Sequence, residues 1–363
     1  MYFEWLSLKD FRNYERADLH LVPEGITLLQ GANGAGKTNL LEAIGYLATS
    51  RSFRGVPSEG MVRSGTDQAV IRAQAVRKDR ALLVEAELNR TGRDKLRVNR
   101  QSITRSRDRE LSVSATIFSP DDLELVKGGP QGRRDYLDDL LAMWAPKHAA
   151  ARAEFERALR QRNALLRTAN GVLRGPMAET LAIWDTKLAV SGEAIVSARE
   201  LLVERLRPAV RLAYEALCSG DAPRARWDVH LEYERSWEGD LLNALGAARE
   251  ADLWRGLTTV GPQRDELSIV LGGLPARTHA SQGEQRSLSL ALRLGGHGVL
   301  SGELGSGPVL LLDDVFSELD PGRCSALAAS LPTGQALLSA AGNLPGDLVF
   351  VDRVRVHDGM IER

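Results

Sequence analysis

The chain has 363 residues, of which 43% are hydrophobic and 26% are charged, and its net charge is −1. This composition is typical of a globular protein, and the length exceeds a usual single core, so we expect two lobes or domains. Two distant cysteines, Cys218 and Cys324, argue against a disulfide framework and favour a reducing, cytoplasmic setting. No stretch reaches the roughly 18 continuous apolar residues that span a bilayer, so we predict neither export nor membrane insertion.

The N-terminal third is predicted to contain a strand, a helix and an antiparallel meander. "GITLLQ" (25–30) predicts a buried strand and "TNLLEAIGYLAT" (38–49) a helix, with a glycine-rich turn between them. Segments whose apolar residues alternate at period two follow, and polar turns separate them. The predicted strands are "AVIRAQAV" (69–76), "ALLVEAEL" (81–88), "KLRVNRQSI" (95–103) and, after a gap, "SATIF" (114–118).

Positive charge is concentrated in this third of the chain. Residues 51–110 contain 15 Lys or Arg against 8 Asp or Glu. Such a stretch can face the phosphates of a nucleic acid. Because Arg is also this chain's usual surface cation, ordinary solvated surface is an equally good interpretation.

The middle of the chain has a helical pattern from about 133 to 217. A Gly/Pro break, "NGVLRGP" (170–176), divides it into two antiparallel helices, and the second is expected to end before Pro208 after about 45 Å. The pair can form either a packed subdomain or a projecting coiled-coil arm. The apolar positions that recur at helical spacing are Leu181, Trp184, Leu188, Ile195, Ala198 and Leu202.

Strands return in the C-terminal part, so α/β segments from both ends of the chain bracket the helices. We therefore predict a head formed by 1–132 and 219–363, with 133–218 as a helical insertion. The C-terminal strands are predicted at "WDVHLEYE" (227–234), "LSIVL" (267–271), "PVLLLDD" (308–314) and "QALLSA" (335–340).

The segment "GANGAGKT" (31–38) is a Gly-x-x-x-x-Gly-Lys-Thr motif between a predicted strand and a predicted helix. Its glycines let successive N–H groups point inward, and the helix adds its positive dipole end, so the loop can cradle phosphate oxygens. Lys37 would reach the β and γ phosphates, and the Thr38 hydroxyl would ligate Mg²⁺. The motif predicts an ATP site made of Gly31, Ala32, Asn33, Gly34, Ala35, Gly36, Lys37, Thr38 and Asn39.

A strand that ends in paired acids would complete this site. The buried strand predicted over 309–312 delivers Asp313 and Asp314 at its carboxyl end. We expect Asp313 to hold Mg²⁺, directly or through water, and Asp314 to orient or deprotonate the attacking water. Asp320, in "SELD" (317–320), is expected beside the same site.

The segment "HASQGEQRSLSLALRL" (279–294) predicts an amphipathic helix with a well-defined start. Ser281 and Glu284 match the Ser-x-x-Glu capping box, which satisfies free N–H groups in the first helical turn. Taken alone, this pattern favours a plain helix terminus.

The order of these motifs resembles that of the ATPase heads of the ABC and SMC families, and more specifically the RecF family of bacterial recombination mediators. The resemblance covers nearly the whole chain. It implies an α/β, ABC/SMC-like head, with a mixed sheet, a P-loop lobe and an antiparallel meander, carrying an inserted helical lobe or short coiled-coil arm. The segments that carry it are "DFRNY" (10–14), "NGAGKTNLLEAI" (33–44), "SRSFR" (50–54), "FSPDDLELVKGGPQGRR" (118–134), "GPQRDEL" (261–267) and "SQGEQR" (281–286).

The resemblance implies an ATP-induced homodimer. In such heads the signature helix closes over ATP held by a second protomer, so Ser281 and the backbone N–H of Gly283 would bind the partner's γ-phosphate. It also implies a cytoplasmic, weakly hydrolysing ATPase of DNA replication, repair, recombination and the SOS response. Such a protein would bind gapped or junction DNA, work with RecR and RecO, and help to load RecA.

The sequence departs from the pattern of transporter heads. Transporters place a Gln after the strand between lobes, and residues 119–122 are equal candidates for its counterpart. Ala340 stands where a His is expected, and Asp314 is shorter than the usual Glu. The alternative function, an energy-coupling ATPase of a transporter, is disfavoured by the missing His, the basic stretch and the inserted helices.

Overall fold

The computed structural model describes residues 1–103, 113–218, 228–317, 319–342, 344–346 and 348–362. Among these residues, no helix is long and apolar enough to cross a membrane. The chain divides into two compact units: Met1–Leu123, Ala209–Trp227 and Ser281–Arg363 form the first, and Glu124–Pro208 and Asp228–Ala280 form the second. The segment 228–280, which was predicted to belong to the head, groups by its backbone contacts with the helices of 124–208.

The elements are numbered here in chain order. Residues 1–123 form β1 (Tyr2–Phe11), β2 (Tyr14–His20), β3 (Gly25–Gln30), α1 (Lys37–Thr49), α2 (Ser58–Met61), β4 (Gln68–Arg77), β5 (Arg80–Asn89), β6 (Lys95–Val98), β7 (Gln101–Ser102), β8 (Ala115–Phe118) and a 3₁₀ turn (Pro120–Leu123). The middle of the chain forms α3 (Glu124–Lys127), α4 (Pro130–Trp144), α5 (Pro146–Ala169), α6 (Pro176–Leu217), β9 (Val229–Glu234), α7 (Leu241–Ala247), α8 (Arg249–Arg255), β10 (Glu266–Leu271), β11 (Leu274–Pro275) and α9 (Ala276–His279). The C-terminal part forms α10 (Gln282–Leu304), β12 (Val309–Asp313), α11 (Pro321–Ser330), β13 (Gln335–Ala340), β14 (Asp352–His357) and β15 (Met360–Glu362).

The first unit contains a mixed sheet in the order β15-β14-β3-β13-β12-β8. All neighbouring strands in it are parallel except β14 and β15. Strand β12 is buried at every position, as expected for a strand covered on both faces. Because the central strands are parallel, the carboxyl ends of β3, β12, β13 and β8 meet at one edge of the sheet, where ligands bind in open α/β sheets.

A second sheet of the first unit is antiparallel, in the order β2-β1-β4-β5-β6-β7. Strands β4 and β5 alternate between buried and more exposed residues, so one face packs on the core and the other faces solvent. The predicted meander is present, but the single strand expected over 95–103 is two strands. A two-residue turn at Asn99 and Arg100 divides it, because both residues adopt left-handed backbone angles and Val98 pairs with Gln101.

The second unit combines helices with the small antiparallel sheet β11-β10-β9. Its apolar cluster joins α5, α6 and α7 through residues such as Phe155, Leu188 and Leu241. Arg162 of α5 is completely buried and donates to Asp185 and Asp252, each at 2.6 Å. Removing one partner of such a pair would leave a buried charge uncompensated, so this network holds α5, α6 and α8 in one arrangement.

The helix predicted to end before Pro208 instead continues to Leu217, with the proline inside it. An internal proline costs a helix about 3 kcal/mol, because it removes one hydrogen bond and crowds the preceding turn. The buried stripe of Leu206, Val210 and Tyr214 continues past Pro208 at a spacing of four residues. Burying those side chains, at roughly 2 kcal/mol each, offsets the cost of the proline.

Candidate functional site

The loop between β3 and α1 can be built only with glycine at two of its positions. Gly34 and Gly36 have φ angles of 82° and 120°, which side-chain-bearing residues rarely adopt. A Cβ atom at Gly36 would lie 2.6 Å from the hydroxyl of Tyr14. Helix α1 starts with Gly36 as its N-cap and no side-chain acceptor, so the sequence places helix-terminal N–H groups at the loop without a capping side chain.

Lys37 is buried and lies across this loop. Its Nζ donates to the backbone oxygens of Gly31 and Ala32, both at 2.8 Å. Burial lowers the pKa of Lys37, and the nearby carboxylates of Asp314 and Asp313 oppose that shift. The cation is therefore held by neutral carbonyls close to two acids, which is the position from which it can reach a phosphate in the loop.

The paired acids end β12 at the same edge of the sheet. Asp313 Oδ1 accepts two hydrogen bonds, from Thr38 Oγ1 and from Ser339 Oγ, each at 2.7 Å. Burial raises the pKa of Asp313, and the bonds from Ser339 and Thr38 oppose this by favouring the carboxylate. The parallel register that pairs Asp313 with Ser339 brings the ends of β12 and β13 together.

Asp314 turns the chain away from the strand. Its φ of 49° lies in the left-handed region, and its N–H donates to Ser339 Oγ at 3.1 Å. A non-glycine residue in this conformation is held by its surroundings and often marks a functional position. Ser339 thus fixes both acids, the carboxylate of Asp313 and the backbone of Asp314.

Lys37, Asp314 and Ser339 line one cavity of about 290 Å³. Asp313 is not among its lining residues but bonds to Thr38 and Ser339, which are. Arg54 also lines the cavity, and neither Arg54 nor Ser339 was predicted to belong to the site. Arg54 lies in the quoted segment "SRSFR", and Ser339 is a buried polar residue in an apolar strand, so each left a weak signal. The residues that line the cavity are Asn33, Gly34, Gly36, Lys37, Thr38, Asn39, Arg54, Asp314 and Ser339.

Thr38 and Asp313 offer a donor set that fits a magnesium ion. Their oxygen atoms approach within 2.7 Å of each other at the edge of this cavity. Mg²⁺ prefers oxygen ligands and is commonly held by one or two protein groups together with substrate phosphates. The two side chains can therefore share such an ion with a bound nucleotide.

The start of α10 forms the predicted capping box. The N–H of Glu284 donates to Ser281 Oγ at 3.3 Å, and the N–H of Ser281 donates to Glu284 Oε2 at 2.7 Å. Ser281 is exposed, and neither it nor Gly283 lines the cavity around Lys37. Within one chain, the P-loop and this helix start are therefore separate surfaces.

Asp320 lies at the start of α11 and caps it. Its Oδ1 accepts the N–H of Arg323 at 3.0 Å. The guanidinium of Arg323 in turn lies against Gly283, where a Cβ atom would be only 2.4 Å from Nη1. Asp320 is not among the residues that line the Lys37 cavity, and the structure places it beside the start of α10 through Arg323.

The loop after β8 contains the equal candidates for the missing Gln. Asp122 is buried, accepts the N–H of Ser119 at 2.9 Å and accepts two bonds from Arg293 of α10, at 3.0 and 2.7 Å. Its carboxylate is thus occupied in tying the loop to α10. Ser119 instead lines a small cleft that also contains Asp314.

The basic stretch lies largely on the antiparallel sheet, where many of its cations are paired. Arg72 bonds to Glu85 at 2.9 Å, and Glu87 bonds to Lys95 at 3.2 Å and also to Arg97. Residues 104–110 of the stretch lie outside the described residues. Several of the 15 basic side chains counted in the sequence therefore already have acidic partners.

Comparison with known proteins places these features in context. The sequence matches the family described as RecF/RecN/SMC N terminal domain over residues 2–336. The "DNA replication and repair protein RecF" of Streptomyces avermitilis is 43% identical over 380 residues, covering all of both chains. The protein of that name from Frankia alni is 44% identical over 365 residues, with 96% of each chain covered.

Solved structures with a similar fold include a RecF protein and an Smc head. The structure titled "recombination mediator protein RecF-ATP in RecFOR pathway" has a TM-score of 0.87 and 28% identity, and the match covers 99% of this chain and 97% of that one. An Smc head bound to the C-winged helix domain of ScpA has a TM-score of 0.59 at 14% identity, covering 100% of this chain and 96% of that one, and therefore shares the fold. The predicted ABC/SMC-like ATPase head is confirmed.

Proposed function

The chain belongs to the RecF family, and from this premise we propose that it is an ATP-dependent DNA-binding mediator of recombinational repair. Full-length similarity to proteins named RecF, one of them solved with ATP, supports this function over that of a transporter's energy-coupling ATPase. The observation that carries the proposal is the single cavity in which Lys37, Thr38 and Asp314 meet.

ATP would bind with its phosphates in the loop between β3 and α1. The uncapped N–H groups at the start of α1 attract anionic oxygens, and Lys37 adds a full positive charge beside them. Arg54, which lines the same cavity, adds a second cation. The proposed phosphate-binding residues are Gly31, Ala32, Asn33, Gly34, Ala35, Gly36, Lys37, Thr38 and Asn39.

Thr38 and Asp313 would hold Mg²⁺, which supplies charge neutralisation at the phosphates when bound. Ser339 orients the Asp313 carboxylate through its hydrogen bond of 2.7 Å and opposes the rise that burial causes in the pKa of Asp313. Asp314 would accept a proton from, or orient, the water that attacks the γ-phosphate. As an aspartate on a constrained turn, Asp314 has a short reach, and we propose slow hydrolysis that serves as a switch.

The start of α10 would complete the site of a second protomer. Ser281 can donate its hydroxyl hydrogen while its oxygen accepts from Glu284, so the capping box leaves a donor for a partner's γ-phosphate. The N–H of Gly283 would join it, and Asp320 would lie beside this interface. A nucleotide that binds the dimer more tightly than the monomer must favour dimerisation by the same free energy.

The dimer would clamp gapped or junction-containing DNA in the cytoplasm and would act with RecR and RecO to help load RecA. Release would follow hydrolysis, because loss of the γ-phosphate removes the bridge between protomers. Binding and release would then be coupled to nucleotide state through the dimer equilibrium.

Sedimentation velocity of the full chain tests the proposal. We expect monomer without nucleotide, dimer with ATP and Mg²⁺, and tighter binding of gapped duplex DNA by the dimer. ADP serves as the control, because it occupies the loop without a γ-phosphate. ATP binding that changes neither the mass nor the DNA affinity would contradict the switch.

A further inference from the structure

Two hairpin turns of the antiparallel sheet have cations in unfavourable backbone conformations. In the turn between β4 and β5, Lys78 and Asp79 have φ angles of 48° and 60°. In the turn between β6 and β7, Asn99 and Arg100 have φ angles of 48° and 67°. Each is a two-residue turn, since Arg77 pairs with Arg80 and Val98 with Gln101.

Lysine and arginine are poor choices for these positions. Turns with two positive φ angles strongly prefer Asn, Asp and Gly. An L-residue with a long side chain costs about 1 kcal/mol in the left-handed region. Asn, Asp or Gly would therefore be more stable than Lys78 and Arg100 at these two positions. Backbone strain of this kind is concentrated at binding sites.

The same cations differ in their charge environment from several cations on the strands. Arg72 and Lys95, on the strands, are paired with acids, as is Arg16 with Asp18 at 3.2 Å. Lys78, Arg80 and Arg100, here named the tip cluster, are exposed and form no ion pair with any residue that the structure describes. Asp79 is the one acid within the two turns, so their net charge is positive.

The two turns lie at the same end of the sheet. Asn99 locks the second turn to β5, because its N–H donates to Leu83 O at 2.8 Å and its Oδ1 accepts from Leu83 N at 2.9 Å. Leu83 lies three residues after Arg80, about 10 Å along a strand at roughly 3.3 Å per residue. The cations are thus spread over a distance close to the roughly 12 Å width of a DNA major groove.

We propose that the tip cluster is a contact surface for the phosphate backbone of duplex DNA. This inference rests on the proposed function, because it assumes that the chain binds DNA. Rigid two-residue turns present the cations without the ordering cost of a flexible loop, and their unpaired charges can each displace a counterion from the duplex. Contacts of this kind position the protein on DNA and do not read its sequence.

The test removes the three charges while keeping the turns. A Lys78→Asn, Arg80→Gln, Arg100→Asn variant retains residues that tolerate the backbone angles, because Asn is favoured where φ is positive. The matched control, Arg16→Gln, Arg72→Gln, Lys95→Gln, removes the same net charge from cations of the same sheet that already have acidic partners.

Binding to a blunt duplex of random sequence is measured against salt concentration in the presence of ATP. We expect the tip-cluster variant to bind on the order of tenfold or more weakly, with the slope of log K against log salt reduced by about 0.9 for each lost contact. The control variant should keep most of the wild-type slope. ATP-dependent dimerisation should be unchanged in both variants.

The outcomes separate this inference from the function on which it rests. A normal slope in the tip-cluster variant, with intact dimerisation, overturns the tip surface while leaving the DNA-binding function in place. An equal loss in both variants shows a general charge effect and also overturns it. Absence of DNA binding by the wild type would instead overturn the proposed function.

Discussion

The starts of α1 and α10 are both helix N-termini with the potential to bind anions, but they are built in opposite ways. Helix α1 begins at Gly36 without a side-chain cap, beside a buried lysine and two acids. Helix α10 begins with a complete capping box and is exposed. The first leaves its N–H groups without a side-chain cap, beside the cavity of its own chain, whereas the N–H of Glu284 in the second is already bonded to Ser281.

The comparison shows why one terminus is recognisable as a site and the other is ambiguous. A cap satisfies the same N–H groups that an anion would use. Helix capping alone therefore explains why Ser and Glu stand at the start of α10, without any ligand. Only the hydroxyl hydrogen of Ser281 and the N–H groups outside the box are available for a further role. The following predictions test that difference, beginning with the largest expected effect.

Replacing Lys37 with Ala should abolish both ATP-dependent dimerisation and hydrolysis, because it removes the buried cation that we propose binds the β and γ phosphates. Ser281→Arg should also abolish them, by blocking the approach of α10 to a partner's phosphate. The two lesions lie in different surfaces of one chain. Sedimentation velocity and phosphate release measure both effects, and far-ultraviolet circular dichroism confirms that each variant remains folded.

Mixing these two inactive variants tests whether Ser281 of one protomer completes the nucleotide site of another. In a mixed dimer both lesions fall in one composite site, and the other site contains an intact Lys37 and an intact Ser281. We expect ATP-dependent dimer to reappear in an equimolar mixture, because only the mixed pair retains an intact composite site. If the mixture forms no more dimer than either variant alone, Ser281 has only its capping role.

Asp314→Asn should separate binding from hydrolysis. Asn tolerates the left-handed backbone at this position, so the turn after β12 is kept while the proposed base is lost. Hydrolysis should fall by about 10²-fold or more, as expected for loss of a general base, whereas ATP should still produce the dimer. Loss of the dimer as well would assign Asp314 to nucleotide binding.

Ser339→Ala should have a smaller effect on the same site. The serine hydroxyl donates to Asp313 and accepts the N–H of Asp314, so its removal loosens both acids without removing either. Loss of such an outer partner commonly weakens metal affinity by about tenfold or more. The Mg²⁺ concentration required for half-maximal ATP hydrolysis should rise by that factor. Ser330→Ala, which removes a hydroxyl bonded only within α11, serves as the control.

Glu284→Ala should have the smallest effect and should act on stability alone. It removes the acceptor for the N–H of Ser281 and a negative charge near the start of α10. We expect a loss of about 0.5–1 kcal/mol in the free energy of unfolding, measured with urea, and normal dimerisation. Glu24→Ala, at an exposed position outside the helices, provides the reference. Failure to dimerise would show that the capping box itself forms part of the interface.

Much of the fold was predictable because its signals are local. Local residue types and their spacing, within about ten residues, are enough to predict four of its features. These are the buried strands around "GITLLQ" and "PVLLLDD", the helix after the P-loop and the capping box at Ser281. Strands β1, β2, β14 and β15 were not predicted. In β14 the alternation is regular, but only Val354 and Val356 show it, which is a short signal.

By itself, the sequence determined that a phosphate-binding loop, a strand ending in two acids and a capped helix exist, since each is encoded by neighbouring residues. Tertiary structure alone decided which distant residues meet. The parallel register of β12 with β13 brought Ser339 to Asp313. Packing of a continuous apolar stripe carried α6 past Pro208. Cross-strand neighbours determined which cations of the basic stretch are paired with acids, and which cations of the hairpin turns have no acidic partner among the described residues. These outcomes depend on register and topology, which arise from contacts between segments far apart in the chain.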